Sequence, residues 1–325
     1  MSIFSAIPAP LRRAVRAVLP AHFVDGVKDV IMRRFYVPGY VSRTDPLVFA
    51  FQRYVRHKPP RLHRLLFHVT DHCNLNCKGC THFSNISPQR FADLDAYRAD
   101  MTRLTEVFSG ITEIFLLGGE PLLHPEIASF ITTTRELFPE SRINVMTNGV
   151  KVPHMPDEFW EAMRTAGAWL LCDDYPAGPT RAEIDALTRT QGVEIEWTDP
   201  REEFFKLPID IEGKQDAKAS FRSCRGVMNC PILRDGRLYP CAYTAFIDIF
   251  TDRYGVEGVD AGERDSISVA DKPYSIMDFL MQPVPWCRHC DFEHKASYEW
   301  GRSDRAIDEW VVGECEDTTG PVTRV

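Results

Sequence analysis

Three cysteines within eight residues constrain this chain more than any other feature of it. The stretch His72–Ser84 reads His-Cys-Asn-Leu-Asn-Cys-Lys-Gly-Cys-Thr-His-Phe-Ser, which sets Cys73, Cys77 and Cys80 at the spacing C-x3-C-x2-C. Zinc sites usually pair their cysteines two to four residues apart and add a second pair downstream. A compact loop with three thiolates instead suits three irons of a 4Fe-4S cube and leaves the fourth iron open to a ligand. The residues before the loop, Leu62–Thr70, read as a buried strand, with the apolar run Leu65-Leu66-Phe67 followed by the β-formers Val69 and Thr70.

A second apolar run, Ile114–Leu117, follows at the distance one helix needs and ends in Gly118-Gly119-Glu120-Pro121. Glycines let backbone approach a ligand closely, and Glu120 offers a carboxylate to an ammonium group. Cysteine triplet and glycine motif, in this order and each behind a strand, resemble the radical S-adenosylmethionine (radical SAM) superfamily. The resemblance implies that the open iron chelates the amine and carboxylate of S-adenosyl-L-methionine. It implies that an electron from the reduced cluster splits the S–C5′ bond, and that the 5′-deoxyadenosyl radical so released abstracts hydrogen from a substrate. Gly118, Gly119, Glu120 and Pro121 would bind the amino group of that cofactor. One position departs from the pattern: the residue before the third cysteine is usually aromatic and leans on the adenine, and here it is Gly79, with Phe83 or His82 as the expected filler. The alternative, a redox-inert iron–sulfur or zinc staple, leaves Gly118–Pro121 unexplained.

From residue 62 to about 200 the pattern alternates strand and helix, which implies a parallel sheet with crossover helices. Strands are expected near 63–70, 112–117, 142–147, 167–173 and 193–197, and helices near 91–109, 124–138, 157–166 and 180–190. The fold class read here is α/β: a partial (β/α)6 barrel, as the resemblance implies, with a small cysteine-rich β-hairpin extension. The expected divisions are a basic helical segment 1–60, the barrel 61–205, and an auxiliary-cluster domain with tail 206–325. Ligands of such barrels sit at the C-terminal strand ends, and the motifs fall there. By the resemblance, Asn148 in Thr147-Asn148-Gly149 lies near the ribose and methionine of the cofactor; read alone, Asn-Gly is a common turn. Asp173 and Asp174, ahead of Tyr175, are candidates to hydrogen-bond a polar substrate or take its proton, against a helix-capping role before Thr180. His124 reads as a helix cap and Cys172 as a buried strand thiol.

A second cysteine set follows: Cys224, Cys230, Cys241, Cys287 and Cys290. Pro231–Pro240 reads as a hairpin turning at Asp235-Gly236. Cys224-x11-Gly236-x4-Cys241 with the later Cys287-x2-Cys290 resembles the Twitch/SPASM-type extension of radical SAM enzymes, which implies one auxiliary 4Fe-4S cluster. Cys224, Cys241, Cys287 and Cys290 are the preferred ligands, with Cys230 as substitute for one of them. A structural zinc on the same cysteines stays open as the alternative. Tyr298-Glu299-Trp300 and Arg302-Ser303 are candidates to cover the barrel mouth.

Ten cysteines without an export signal point to metal or redox chemistry in a reducing cytoplasm, and no apolar run approaches a membrane span. Residues 1–64 carry a net +9, so the chain's net −8 leaves −17 on the remainder. That acidic body argues against a nucleic-acid groove. The basic start, with Leu11, Val15, Val18 and Leu19 on one helical face, is expected to pack on the acidic body rather than to lie on an anionic membrane. An auxiliary cluster beside the substrate can accept the electron left after hydrogen abstraction. The function read here is therefore oxidation or epimerisation of a small polar substrate, carbohydrate- or aminocyclitol-like, with a flavodoxin- or ferredoxin-type electron donor. Radical modification of a ribosomal peptide is the second reading, and a non-catalytic iron–sulfur scaffold or electron-transfer protein the third.

Overall fold

The computed structural model describes residues 58–200, 203–224 and 231–311. The basic start, Cys230 and the end of the chain lie outside these residues. Five strands run parallel in chain order: β1 (Leu62–Thr70), β2 (Ile111–Gly118), β3 (Arg142–Thr147), β4 (Trp169–Cys172) and β5 (Ile195–Trp197). The helices between them are α1 (Leu94–Val107), α2 (Ile127–Leu137), α3 (Asp157–Ala166) and α4 (Arg181–Gln191). The α/β class with a mainly parallel sheet is thus as the alternation requires.

The sixth parallel strand is not beyond β5. It is β7 (Ile232–Arg234), which pairs with β1 at the opposite edge, through Leu66↔Ile232 and Phe67↔Leu233. The expected hairpin therefore continues the main sheet: β7 turns at Asp235-Gly236 into antiparallel β8 (Arg237–Tyr239), which pairs in turn with β9 (Ile267–Ser268). A separate two-stranded sheet joins β6 (Glu203–Lys206) to β10 (Ala296–Glu299). The remaining helices are α5 (Ala217–Cys224), α6 (Ala242–Tyr254) and α7 (Pro273–Leu280).

Side chains of a strand alternate between its faces, and here the two faces feed two cores. Leu65, Phe67 and Val69 of β1, with Ile114 and Leu116 of β2, pack beneath Met101, Leu104, Phe130 and Met163 of the crossover helices. Leu66, Phe115, Leu117 and Ile232 face inward, toward Phe246 and Phe250 of α6 and toward Trp286 and Trp310. Helix starts are set by local polar caps: Asp93 accepts from Ala96 N at 2.8 Å, and Thr180 and Glu183 form a reciprocal capping box. His124 Nδ1 accepts from Glu126 N at 3.0 Å just ahead of α2, whose N-cap position is Glu126 itself, so the histidine braces the entry to the helix rather than capping its first turn. None of the helices in the described residues is long and apolar enough to cross a membrane.

Candidate active site

Cys73, Cys77 and Cys80 leave the C-terminal end of β1 and line a cavity of about 230 Å3. Gly118 and Gly119 reach it from β2, Thr147 and Asn148 from β3, and Asp173 and Tyr175 from β4. Strand ends far apart in sequence thus bring the expected motifs into one place. The thiols are surrounded by N–H donors. Leu75 N donates to Cys73 Sγ at 3.3 Å, Asn148 Nδ2 to the same sulfur at 3.6 Å, and Trp300 Nε1 to Cys77 Sγ at 3.3 Å. Backbone N–H groups of His82, Ser84 and Asn85 serve Cys80. Burial pushes all three thiols up, Cys77 to about 11, so the metal-free loop holds neutral thiols and metal binding has to release their protons. Among the described residues no three His, Cys, Asp or Glu side chains are arranged to hold a single metal ion. Thiols of a cube each take a different iron, so three buried thiols ringed by N–H donors are a donor set that fits such a cluster.

The glycine motif works differently from the expectation. A Cβ on Gly119 would stand 2.2 Å from His72 O and 2.8 Å from Cys73 N, and one on Gly118 would stand 2.3 Å from Thr70 O. The two glycines therefore let the end of β2 lie directly against the backbone that launches the cysteine loop, with Gly119 N donating to Thr70 O at 3.0 Å. Glu120 and Pro121 do not line the cavity. The Glu120 carboxylate is fully buried and accepts from Thr147 Oγ1 at 2.7 Å, Asn148 N at 2.9 Å and Leu122 N at 3.0 Å. Burial pushes its carboxyl up to about 7 against the pull of these donors. Glu120 ties the end of β3 to the glycine turn and holds Asn148 in the cavity wall.

Gly119→Ala is accordingly expected to displace the His72–Cys73 peptide, at a cost of about 1–3 kcal/mol for forcing bulk into a closed contact. A lower melting temperature and lower iron content after anaerobic reconstitution would show it. Wild-type values for both would mean that the contact yields freely.

The space beside Gly79 is filled from the far end of the chain. Gly79 has φ +59°, and a Cβ there would meet the Tyr298 hydroxyl at 2.4 Å. Phe83, expected near the adenine, instead lies fully buried among Tyr243, Phe250 and Trp310. His82 does line the cavity. Residues 298–310 strap the loop down: Tyr298 OH donates to Lys78 O at 2.7 Å, Lys78 N to Gly301 O at 2.9 Å, and Ser303 N to Asn76 O at 2.8 Å. Gly79 N donates to the buried Glu309 carboxylate at 3.0 Å, and Trp310 Nε1 to Cys80 O at 2.9 Å. Trp310 is thus both core packing and a clamp. Trp300, one of the candidates to cover the barrel mouth, touches a cluster-loop sulfur directly.

The two aspartates part company. Asp173 lines the cavity, with Oδ1 accepting from Thr198 Oγ1 at 2.8 Å. Asp174 does not line it and lies 3.6 Å from Arg181 Nη2 at the start of α4, so of the pair only Asp173 is placed to meet a ligand. Cys172 is fully buried, as expected. Tyr175 and Phe204, 5.9 Å apart, complete the outer rim.

A second cavity, of about 410 Å3, lies inside the curve of the sheet and shares Thr81, His82, Leu117 and Met146 with the first. Cys241 lines its side. Its far end carries two ion pairs, Arg64 with Glu113 at 2.9 Å and Arg142 with Glu196. These four charges sit at inward positions of otherwise apolar strands, a period-two signal that would have marked them as lumen residues. Cys224, Cys241, Cys287 and Cys290 come together from α5, the hairpin end and the turn at 285–290: the other three thiols act electrostatically on Cys290. Burial pushes Cys287 up to about 12 and raises Cys241 and Cys290. Four thiols from three segments are a donor set an iron–sulfur cube accepts.

Residues 67–175 match the family model described as Radical SAM superfamily. The GTP 3',8-cyclase of Geobacter sulfurreducens is 30% identical over 113 residues, covering 34% of this chain and 33% of the relative. Molybdenum cofactor biosynthesis protein 1 of Bos taurus is 29% identical over 96 residues, 29% of this chain and 15% of the relative. The chain thus spans a third or less of these curated relatives. Among solved structures, BtrN in complex with AdoMet and 2-DOIA is 18% identical, over 71% of this chain and 94% of that chain, with a TM-score of 0.44, a likeness too slight to bear on function. The matched residues hold the cysteine triplet, the glycine motif and the strand ends around the first cavity: over residues 67–175 this chain is similar to the radical SAM superfamily, a similarity that implies a 4Fe-4S cluster and S-adenosylmethionine.

Proposed function

We propose that the protein is a radical SAM enzyme that abstracts hydrogen from a small polar substrate, carbohydrate- or aminocyclitol-like, and completes an oxidation or epimerisation with an auxiliary 4Fe-4S cluster on Cys224, Cys241, Cys287 and Cys290. The observation that carries this reading is the pair of linked cavities, one walled by Cys73, Cys77 and Cys80 and the other by Cys241. When bound, the clusters supply the two redox ends, an electron that splits S-adenosylmethionine to a 5′-deoxyadenosyl radical and an acceptor for the electron the substrate gives up. The chain itself supplies position and proton handling. Gly118, Gly119 and Asn148 form the cofactor-facing wall, and Tyr175 and Phe204 the rim. Asp173, oriented by Thr198, is the carboxylate in reach of a substrate hydroxyl proton. A flavodoxin- or ferredoxin-type protein is the class of electron donor this chemistry calls for.

The curated relatives suggest GTP as a second substrate class. Arg64 and Arg142 in the inner cavity would be its phosphate ligands, but each is paired with a glutamate, and a neutralised arginine is a poor host for a triphosphate. The polar, uncharged reading is preferred. Its test is anaerobic reconstitution with iron and acid-labile sulfide assayed beside zinc, and 5′-deoxyadenosine measured under a strong reductant. About eight irons per chain with 5′-deoxyadenosine release is the expected result. About four irons with one zinc would remove the electron acceptor and with it the oxidation.

A further inference from the structure

Buried polar atoms are almost always hydrogen-bonded, so those that are not call for a partner. Among the described residues both ring nitrogens of His68, and Nδ2 and Oδ1 of Asn85, are buried without one, while the Ser84 side chain serves the Cys80 thiol. The Nε atoms of Arg142 and Arg234 also lack one, but their guanidiniums are paired through their remaining nitrogens. Asn85 is 6% exposed and lines the first cavity, as does Ser84. His68 stands behind them at the top of β1, edge-on to His82 at 4.7 Å and stacked on Phe246 of α6 at 4.1 Å. This corner is the one that opens through Thr81 and His82 into the inner cavity. The wall holding Gly119, Asn148 and Asp173 is built from other strand ends.

The unpaired group at the cavity wall is the Asn85 amide, which is uncharged and offers a donor and an acceptor side by side. Its complement is a group that also does both without charge, which is an alcohol hydroxyl, and the two atoms together best match a vicinal diol. A phosphate or carboxylate would leave the acceptors unmet, and an ammonium the donors. We infer that Asn85 is a recognition subsite for the hydroxyl groups of a polyol substrate. The inference rests on the proposed hydrogen-abstracting activity and specifies which residues read the substrate. Because an unpaired buried amide costs stability until its ligand arrives, the subsite also predicts a trade between stability and binding.

Asn85→Leu, close in volume, removes both unpaired amide atoms and is examined on the reconstituted anaerobic holoenzyme. Its melting temperature without polyol is expected to rise by about 2 °C. Of myo-inositol, glucose and glucosamine, whichever binds the wild type should bind the variant about tenfold more weakly, with the affinity for S-adenosylmethionine changed less than about twofold. Asn85→Ala gives the same affinity readouts should the leucine variant fold poorly. A fall in S-adenosylmethionine affinity instead would make Asn85 a contact of the cofactor's ribose diol and overturn the inference. So would equal polyol binding by wild type and variant, or a lower melting temperature, the sign of an amide already satisfied by buried water. If the wild type releases 5′-deoxyadenosine but binds none of the three polyols, the inference falls and the radical reading stands. If it releases none, the radical reading itself has failed.

Discussion

Alanine at Cys77 is expected to abolish release of 5′-deoxyadenosine and to remove about four of the irons that the reconstituted chain holds. The effect is large because the loop that positions the thiol is fixed by backbone hydrogen bonds on both flanks, Lys78 N to Gly301 O and Ser303 N to Asn76 O, and cannot bring another thiol to the vacant iron. The same holds for Cys73 and Cys80. Iron and sulfide analysis, with chromatography of the nucleoside product, checks the expectation. Full cleavage by any one of the three variants would refute the assignment of these thiols as the cofactor-binding ligands.

Loss of Cys287 or Cys290 has a different signature. These residues stand with Cys224 and with Cys241, which lines the inner cavity. Alanine at either position is expected to leave cofactor cleavage in place while product falls below detection, since the substrate radical then has no electron acceptor. Iron should again fall by about four per chain. The two variants need a stability control, because Cys290 is buried and the segment around it is hydrogen-bonded to its surroundings, Asp291 N to Pro208 O at 3.1 Å and Ser220 Oγ to Cys290 O at 2.9 Å. Product formation at the wild-type rate by a folded Cys287→Ala protein would sink the auxiliary-cluster role.

Much of this site is written in short stretches of sequence. The triplet and the glycine motif are local patterns with fixed spacing, and so are the Asp235-Gly236 turn and the Asp93 cap. Local geometry decides each, and each appears where the pattern places it. What the chain does not announce is decided by partners far away in sequence. Phe83 looks like a free aromatic beside the cluster loop until Tyr243, Phe250 and Trp310 close around it. Glu120 looks like a ligand residue, and only the packing of β3 shows that Thr147 and Asn148 have taken its oxygens. Asp173 and Asp174 are indistinguishable by type, and the alternation of the strand end turns one inward and the other toward Arg181. The position of β7 followed the same rule: its short apolar run suits either edge of the sheet, and pairing with β1 was settled by tertiary contact rather than by propensity.

The strap over the cysteine loop has a consequence for the order of events as the protein is made. Gly79 N meets the carboxylate of a residue 230 positions later, and Trp300 reaches the Cys77 sulfur across 223 positions. A ribosome adding about 5–20 residues per second delivers the triplet many seconds before Glu309 and Trp310 emerge. During that interval the three thiols lie on a loop without its clamp, exposed to oxygen and to competing metals. A fully strapped cysteine loop therefore requires synthesis to have passed Trp310.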